Sequence, residues 1–299
     1  MFFIEDLTVL IVTYRTNHKI LENCLKSINN QSKILIVENS SDKAFKNKLE
    51  TKYSNLEVVL SGKNLGYGGG NNLGINLVKT NYVIICNPDV VFTEKYFLNL
   101  QEYINNKLDF DIIGPSYKDT TWNSFGYFEE FKKKNSYISE NSSLIPADWV
   151  VGCNMLIDLK KFTNKNIFDE KIFLYWEEFD LCFRTLLSGG KVFGSKNLII
   201  EHLGHKGSAA TDPNYSIETE MFRNWHFMWS SFYFYKKHFG FFYSIKKNFG
   251  KLLRSIIKLF YYSIFYNKKE FTRYYARCSG LINSIIGKKS WYRVKSLFQ

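Results

Sequence analysis

The hydrophobic positions in the N-terminal part of the chain form short continuous runs separated by helically spaced sets. The segment from Ile20 to Ile28 places its apolar residues on one helix face, with Asn17 as a candidate N-cap. Residues 71–79 form a second predicted helix. Runs rich in Val, Ile and Leu are typical of strands buried in a parallel sheet, and they occupy residues 8–13, 34–37, 58–60 and 82–86. This alternation predicts an α/β fold with a mostly parallel central sheet.

After Pro213 the pattern changes to long helical stretches crowded with Phe, Tyr, Trp, Lys and Arg. We therefore predict two parts, a domain at 1–214 and a helical region at 215–299. Residues 215–299 contain 16 Lys and Arg but only three acids, a net charge of +13, whereas the whole chain carries +12. This segregation indicates an acidic surface or a polyanion as partner of the C-terminal region alone.

The composition excludes several classes of protein. A chain of 299 residues with 45% hydrophobic and 23% charged residues is globular, and is neither a disordered chain nor a peptide hormone. The five cysteines form no C-x-x-C pair, which favours reduced thiols in the cytoplasm. Glu5 and Asp6 argue against a signal peptide. The apolar run at residues 227–235 is nine residues long, far short of the roughly 20 that span a bilayer.

Polar residues follow three of the predicted strands, where ligands of such sheets bind. Thr13 ends the first strand, and Glu38 follows the second. Glu38 is positioned to accept hydrogen bonds from a nucleoside, or it is a solvated loop acid. Asp89 follows the fourth strand within Asn87-Pro88-Asp89, where it could hold a divalent cation on a diphosphate. The alternative is an ordinary turn, which Asn and Pro both favour.

Two further segments carry candidate ligand-binding groups. Residues 64–72, a glycine-rich turn that opens a helix, could point backbone amides at an anion. A purely structural turn is the alternative. His202 follows a predicted strand at residues 198–201 and could join Asp89 on a metal, although an isolated histidine is often structural.

An acidic cluster lies among aromatic residues between Phe173 and Arg184. It contains Glu177, Glu178 and Asp180 within four positions. Apolar surroundings raise a carboxyl pKa and suit a general base. The alternative is that these acids only complement the dipole at a helix N-terminus. Arg184 either orients the carboxylates or forms a salt bridge along the helix.

The order of these motifs resembles the family 2 glycosyltransferases, particularly a rhamnosyltransferase-like branch. The motifs that carry the resemblance span about residues 7–210, and they are T-Y-R after the first strand, V-E-N-S-S, N-x-G-x-G-G-G-N-N, N-P-D-V, D-W-V-V-G-C, Y-W-E-E-F-D-L-C-x-R and H-x-G-H-K-G-S. The resemblance implies a GT-A fold, a nucleotide-sugar donor, Mg²⁺ or Mn²⁺, and inversion at the anomeric carbon.

The resemblance also implies residue roles. Asp89 would be the metal-binding acid, with His202 beside it, and Glu178 would be the catalytic base, with Asp180 as runner-up. Donor-side positions are Thr13, Tyr14, Arg15, Glu38, Asn64, Gly66, Gly68, Asn71, Asn87 and Asp89. Acceptor-side positions are Trp149, Gly152, Trp176 and Glu177. Glu38 and Glu178 depart from the family pattern, because each stands where Asp is usual and adds a methylene group.

The expected function is therefore inverting transfer of a sugar to a saccharide or lipid-linked acceptor in cell-surface polysaccharide assembly. dTDP-rhamnose is the favoured donor, followed by a UDP-sugar. We expect residues 215–299 to attach the enzyme peripherally to the anionic inner face of the cell membrane. Alternatively, they cap the catalytic domain or form a homodimer core. A non-catalytic nucleotide-binding or membrane scaffold is a second hypothesis. A nucleic-acid-binding protein is the third, although the sequence contains no nucleic-acid-binding motif.

Overall fold

The computed structural model describes residues 6–118, 123–131, 143–202 and 217–293. These residues divide into two compact units. The first unit comprises the described residues up to Asp169 and from Glu178 to His202, and the second comprises residues 170–177 and 217–293. The predicted domain boundary at residues 214 and 215 lies outside the described residues, as does the H-x-G-H-K-G-S motif beyond His202.

The first unit is built on a nine-stranded sheet with the order β3-β2-β1-β4-β10-β6-β11-β5, in which β8 also pairs with β11. Its strands are β1 Leu7–Thr13, β2 Lys33–Glu38, β3 Leu56–Leu60, β4 Tyr82–Cys86, β5 Val90–Phe92, β6 Ile112–Tyr117, β8 Leu144–Pro146, β10 Asn154–Asp158 and β11 Val192–His202. A separate two-stranded ribbon pairs β7 Phe125–Gly126 with β9 Trp149–Val150. Strands β1, β2, β3, β4, β6 and β11 run in one direction, and β5, β8 and β10 run in the other. The sheet is thus mostly parallel, as predicted.

Helices cover the strands of this sheet. They are α1 His18–Ser27, α2 Lys43–Lys52, α3 Gly66–Leu77, α4 Tyr96–Asn105 and α5 Glu177–Leu187. The Asn17 side chain accepts hydrogen bonds from the backbone N–H groups of Lys19 and Ile20, so the predicted N-cap of α1 is confirmed. Strand β1 is buried on both faces, because Val9 and Ile11 belong to one core cluster and Leu10 belongs to the other.

The glycine-rich segment differs from its prediction, because it is helix rather than turn. Helix α3 begins at Gly66, five residues before the predicted start at Asn71. A Cβ on Gly70 would lie 2.8 Å from Val12 Cγ1, and one on Gly74 would lie 2.3 Å from Leu10 Cδ1. These glycines let the helix pack directly on the side chains of β1. Close packing therefore explains part of the glycine content.

The second unit contains three helices, α6 Ile217–Phe239, α7 Phe241–Ile264 and α8 Lys268–Ile285. Residues 170–177, predicted to belong to the first domain, group with these helices instead. The Phe173 ring lies 5.1 Å from the His226 ring, and the Arg293 guanidinium lies 3.3 Å from the Phe173 ring centre. Aromatic packing therefore draws this segment into the second unit, which the sequence pattern alone does not reveal.

Among the described ranges of the chain, no helix combines the length and apolar character required to cross a membrane.

Candidate active site

The site residues of the first unit meet at one edge of the sheet. Thr13 and Glu38 are register partners at the ends of β1 and β2. Asp89 lies in the turn after β4, and His202, the last residue of β11, pairs with Val90. Since β1, β2, β4 and β11 run in the same direction, their carboxyl ends place these side chains along one edge.

Glu38 is a buried carboxylate with a hydrogen-bond donor on each oxygen, and only 2% of its surface is exposed. Thr13 Oγ1 donates a hydrogen bond to one carboxylate oxygen at 2.6 Å, and Ser40 Oγ donates to the other at 2.7 Å. The alternative of a solvated loop acid is therefore wrong. A buried acid kept at a strand end by two hydroxyls is suited to recognising the polar groups of a ligand.

Tyr14, Arg15 and Asn64 extend the site beside Glu38. The Tyr14 hydroxyl hydrogen-bonds the Asn64 side chain, and burial of the phenol raises the pKa of Tyr14. The Arg15 guanidinium lies 5.6 Å from the Tyr14 ring centre. Arg15 has a φ of 47°, a left-handed conformation that is uncommon for a residue with a side chain. The three donor-side candidates are thus neighbours.

The N-terminus of α3 is fixed by side-chain amides. Asn64 Oδ1 accepts from the Gly66 N–H at 2.9 Å, and Asn39 Nδ2 donates to the Gly66 carbonyl at 2.9 Å. Gly68 and Asn71 lie further along α3 and are buried. Asn71 Nδ2 donates to the carbonyl one turn earlier. Of these candidates, Asn64 and Gly66 stand at the helix start, whereas Gly68 and Asn71 lie within the helix.

Asp89 and His202 are brought together, with His202 Nε2 3.4 Å from Asp89 Oδ1. Asp89 is only 3% exposed, and the Tyr117 ring stacks on His202 at a centroid separation of 5.8 Å. The Val90 N–H donates to the Asn87 carbonyl at 3.3 Å, so residues 87–90 form a turn. The predicted turn at Asn87-Pro88-Asp89 is therefore confirmed, and it presents the carboxylate of Asp89; that Asp89 holds a cation stays a prediction.

This pair suits a divalent cation. A carboxylate oxygen and an imidazole nitrogen are ligands that Mn²⁺ accepts, and the carboxylate alone suits Mg²⁺. Within the described ranges, no group of three or more His, Cys, Asp or Glu side chains could hold a metal ion. Asp89 and His202 would supply protein ligands for such a cation, and phosphate oxygens and water would complete its coordination.

Glu178 has a different environment. Its carboxylate accepts hydrogen bonds from its own N–H and that of Gly152, yet burial is the larger effect and raises the pKa of Glu178 to about 7. A Cβ on Gly152 would lie 3.4 Å from Glu178 Cδ, so glycine keeps this approach open. The Tyr67 hydroxyl donates to the Gly152 carbonyl. Glu178 is thus poised to exchange a proton near neutral pH.

Asp180 and Glu177, the other two acids of the cluster, do not share that environment. Asp180 is fully buried and accepts a hydrogen bond from Arg184 Nε at 2.8 Å. Arg184 also donates to the Ile167 carbonyl, so this pair braces the helix. Glu177 is buried and belongs to the second unit. Although the three acids are close in sequence, their environments in the structure differ.

The acceptor-side candidates are also divided. Trp149 lies on β9 with its ring 5.1 Å from that of Phe179, and Gly152 contacts Glu178. Trp176 belongs to the second unit, where its ring lies 5.3 Å from that of Phe234. Trp149 and Gly152 are therefore in the same unit as Glu178, and Trp176 and Glu177 are not.

Cys153 lies close to both Asp89 and Glu178. Burial is the main cause that raises the pKa of the Cys153 thiol to about 12, and the charges of Asp89 and Glu178 contribute. The Asn87 N–H also donates to the Cys153 carbonyl at 2.8 Å. The candidate metal ligand and the candidate base thus lie near the same residue. Such an arrangement can combine stabilisation of an anionic leaving group with removal of a proton.

Sequence reasoning missed Tyr67, Tyr117 and Ser40. Ser40 lies in the V-E-N-S-S motif and Tyr67 lies between the glycines of residues 64–72, so both are inside segments already singled out. Tyr117 is the last residue of β6. The strand-end rule that found Thr13 would find Tyr117 once the C-terminal end of β6 is recognised.

Comparison with known proteins gives a family and a fold. Residues 8–178, more than half of the chain, match the family model described as glycosyl transferase family 2. The chain is 25% identical over 200 residues to the low-salt glycan biosynthesis hexosyltransferase Agl10 of Haloferax volcanii, which covers 61% of this chain and 62% of that protein. It is 27% identical over 194 residues to the rhamnosyltransferase WbbL of Escherichia coli strain K12, covering 57% and 72%, respectively.

A solved structure resembles the chain over nearly its whole length. This is the mannosyltransferase PcManGT of Pyrobaculum calidifontis in complex with GDP-Man and Mn²⁺, with a TM-score of 0.55 and 9% identity. The match covers 95% of this chain and 88% of that protein. At this identity the likeness concerns the fold alone. The architecture is the predicted GT-A fold with a C-terminal helical region.

Proposed function

Because the chain belongs to glycosyl transferase family 2, we propose that it moves a sugar from a nucleotide-diphosphate donor to a hydroxyl of a saccharide or lipid-linked acceptor. The observation that carries this proposal is that the first unit contains both a candidate cation site and a candidate general base. Asp89 and His202 suit a cation on a diphosphate, and Glu178 has a pKa of about 7, which suits a general base.

The donor proposal places the nucleoside against Glu38, Thr13 and Tyr14. These side chains lie at the ends of neighbouring strands and are buried or half-buried. dTDP-rhamnose is the favoured donor and a UDP-sugar is the next, on the resemblance of the motifs and on one relative being named a rhamnosyltransferase. Asn64 and the start of α3 would face the diphosphate.

Asp89 and His202 would hold Mg²⁺ or Mn²⁺ at the diphosphate. The cation would offset the negative charge that develops on the departing nucleotide diphosphate. In this arrangement the turn at residues 87–90 orders Asp89. His202 is oriented by the stacked ring of Tyr117.

Glu178 would accept the proton of the acceptor hydroxyl as that oxygen attacks the anomeric carbon. The new bond joins the acceptor oxygen to the anomeric carbon, and the bond from that carbon to the diphosphate oxygen breaks. A single displacement of this kind inverts the anomeric configuration. The N–H groups of Glu178 and Gly152 hold the carboxylate in place, and Asp180 remains bound to Arg184.

The cellular role is part of the same proposal. Residues 1–214 would form the catalytic domain, acting in cell-surface polysaccharide assembly at the inner face of the cell membrane. Residues 215–299, with a net charge of +13, would favour an anionic membrane surface. A homodimer core formed by this region is the competing arrangement.

Thermal unfolding of the purified chain tests the proposal. dTDP with Mn²⁺ should raise the melting temperature most, UDP next, because a ligand that binds only the folded state stabilises it by mass action. Stabilisation by GDP alone would contradict the donor assignment. A non-catalytic scaffold would bind the nucleotide but would not release it from a nucleotide sugar. A nucleic-acid-binding protein would be stabilised neither by dTDP nor by UDP.

A further inference from the structure

Helix α7 buries polar residues and leaves most of its apolar residues exposed. Its buried residues are Ser244, Asn248 and Ser255, all polar. Ile245 and Leu252 also pack against the cluster of Met228, Phe232 and Leu281. Other apolar residues face outward along one stripe, named here the α7 stripe, which comprises Phe242, Phe249, Leu253, Ile256, Phe260 and Ile264. Phe242 is 86% exposed and Phe260 is 70% exposed. The spacing of these residues keeps them on one side of an α-helix over its full length.

The polar side of α7 is bonded within the second unit. Ser244 Oγ donates to the Phe232 carbonyl at 2.8 Å, and Ser231 Oγ donates to Asn248 Oδ1 at 3.0 Å. Lys251 Nζ donates to Ser231 Oγ at 2.9 Å. Because Ser244 and Asn248 have partners on α6, these contacts fix the rotation of α7 about its axis. The outward position of the α7 stripe is therefore a property of the packing.

The charges of α7 determine whether the helix could cross a lipid bilayer or lie along its surface. The helix carries five cationic residues and no acidic one, and the cations are Lys246, Lys247, Lys251, Arg254 and Lys258. Cations in the middle of a helix oppose crossing of the hydrocarbon core. An apolar stripe flanked by cations is instead typical of a helix that lies in the plane of the membrane interface.

Charge also favours an anionic membrane over a second copy of the chain as the partner of the α7 stripe. A dimer through the α7 stripe would bring together two surfaces from a region with a net charge of +13, and like charges oppose that contact. Anionic headgroups complement the same charge, and Phe side chains lie favourably at the boundary between headgroups and acyl chains. Lys246 and Arg254 are both exposed on α7.

We infer that the α7 stripe inserts into the interface of an anionic membrane, with α7 parallel to the surface and its exposed cations among the headgroups. This rests on the membrane attachment in the proposed function and identifies the surface of the protein that makes the attachment. It is independent of sugar transfer itself, because the α7 stripe contains none of the proposed donor or base residues.

Vesicle flotation of the full chain tests the inference. Phosphatidylcholine vesicles that contain phosphatidylglycerol should float the protein, and vesicles of phosphatidylcholine alone should float it much less. Phe249→Ser combined with Phe260→Ser should lower the partition coefficient by about tenfold or more. The matched control is Leu98→Ser combined with Leu187→Ser in the first unit, which removes apolar groups that are 66% and 62% exposed and should leave flotation unchanged.

A charge variant and a donor measurement complete the test. Lys246→Gln combined with Arg254→Gln should weaken flotation on anionic vesicles, whereas Lys48→Gln combined with Lys19→Gln should not. Equal flotation of the stripe variant and the wild type would overturn the inference. Loss of a dimer in the stripe variant, without vesicle binding by the wild type, would assign the α7 stripe to a second copy. Donor-induced thermal stabilisation, measured in parallel, reports on the proposed function separately.

Discussion

Arg184 Nε donates to Asp180 Oδ2 at 2.8 Å, across one turn of α5. Asp180 is completely buried, whereas the Arg184 side chain is partly exposed. The charge of Asp180 is therefore compensated within the helix. Glu178, two residues earlier, accepts hydrogen bonds from its own backbone N–H and from that of Gly152, and burial raises its pKa. The two acids that compete for the role of base thus differ in their partners.

Asp180→Asn should lower the free energy of unfolding by about 2 kcal/mol, because it leaves Arg184 with a neutral partner inside the fold. Arg184→Met should cost a similar amount. The double variant should cost less than the sum, since the two residues form one interaction. Urea unfolding of the three variants measures this. An Asp180→Asn protein of wild-type stability that binds donor but transfers no sugar would move the role of base to Asp180.

Gly74→Ala should destabilise the protein by about 1–3 kcal/mol, because the new Cβ overpacks the core. That Cβ would lie 2.3 Å from Leu10 Cδ1. Gly250→Ala in α7 is the matched control, since its Cβ would meet nothing within 4 Å. That change should stabilise by about 0.5–1 kcal/mol through helix propensity. Equal urea midpoints for the two variants would contradict the packing of α3 on β1.

Glu38→Gln should raise the dissociation constant for the nucleotide by about tenfold or more, because a charge-assisted acceptor becomes neutral. Thr13→Val should weaken binding in the same direction, since Thr13 holds the carboxylate. Glu57→Gln on the exposed side of β3 serves as the control. Calorimetric titration with dTDP or UDP measures the three affinities. Unchanged affinity in Glu38→Gln would remove Glu38 from the proposed donor site.

Asp89→Asn should abolish the part of donor binding that depends on Mg²⁺ or Mn²⁺. His202→Gln should weaken it less, because the carboxylate carries the charge. Thermal shifts with nucleotide, in the presence of metal or of a chelator, separate the two effects. Glu94→Gln, an exposed acid outside the site, should behave as wild type. A full metal-dependent shift in Asp89→Asn would place the cation elsewhere.

The sequence predicts this site well where strand ends determine it. Glu38 and His202 end strands and Asp89 follows one. Parallel pairing of β1 with β2 places Glu38 beside Thr13, and antiparallel pairing of β5 with β11 places His202 beside the turn that holds Asp89. It predicts poorly where tertiary packing decides. The start of α3 at Gly66 depends on close contact with β1, and the grouping of Phe173 with α6 depends on ring contacts between distant segments. Neither contact leaves a local pattern in the chain.

The role of Glu178 as base is the central claim, and its pKa sets the sign of the pH dependence. The carboxyl must be ionised to accept a proton, so wild-type transfer should rise with pH through about 7. An acid with the ordinary value of 4.5 would be fully ionised well below that pH and would give a flat profile there.

Transfer by Glu178→Gln across this pH range, measured together with nucleotide binding, is the most direct test. Gln keeps the size of the side chain and removes its basicity. We expect transfer to fall by about 100-fold or more, the rise near pH 7 to disappear, and the nucleotide affinity to stay within about twofold of wild type. Near-wild-type transfer that keeps its rise through pH 7 would contradict the account.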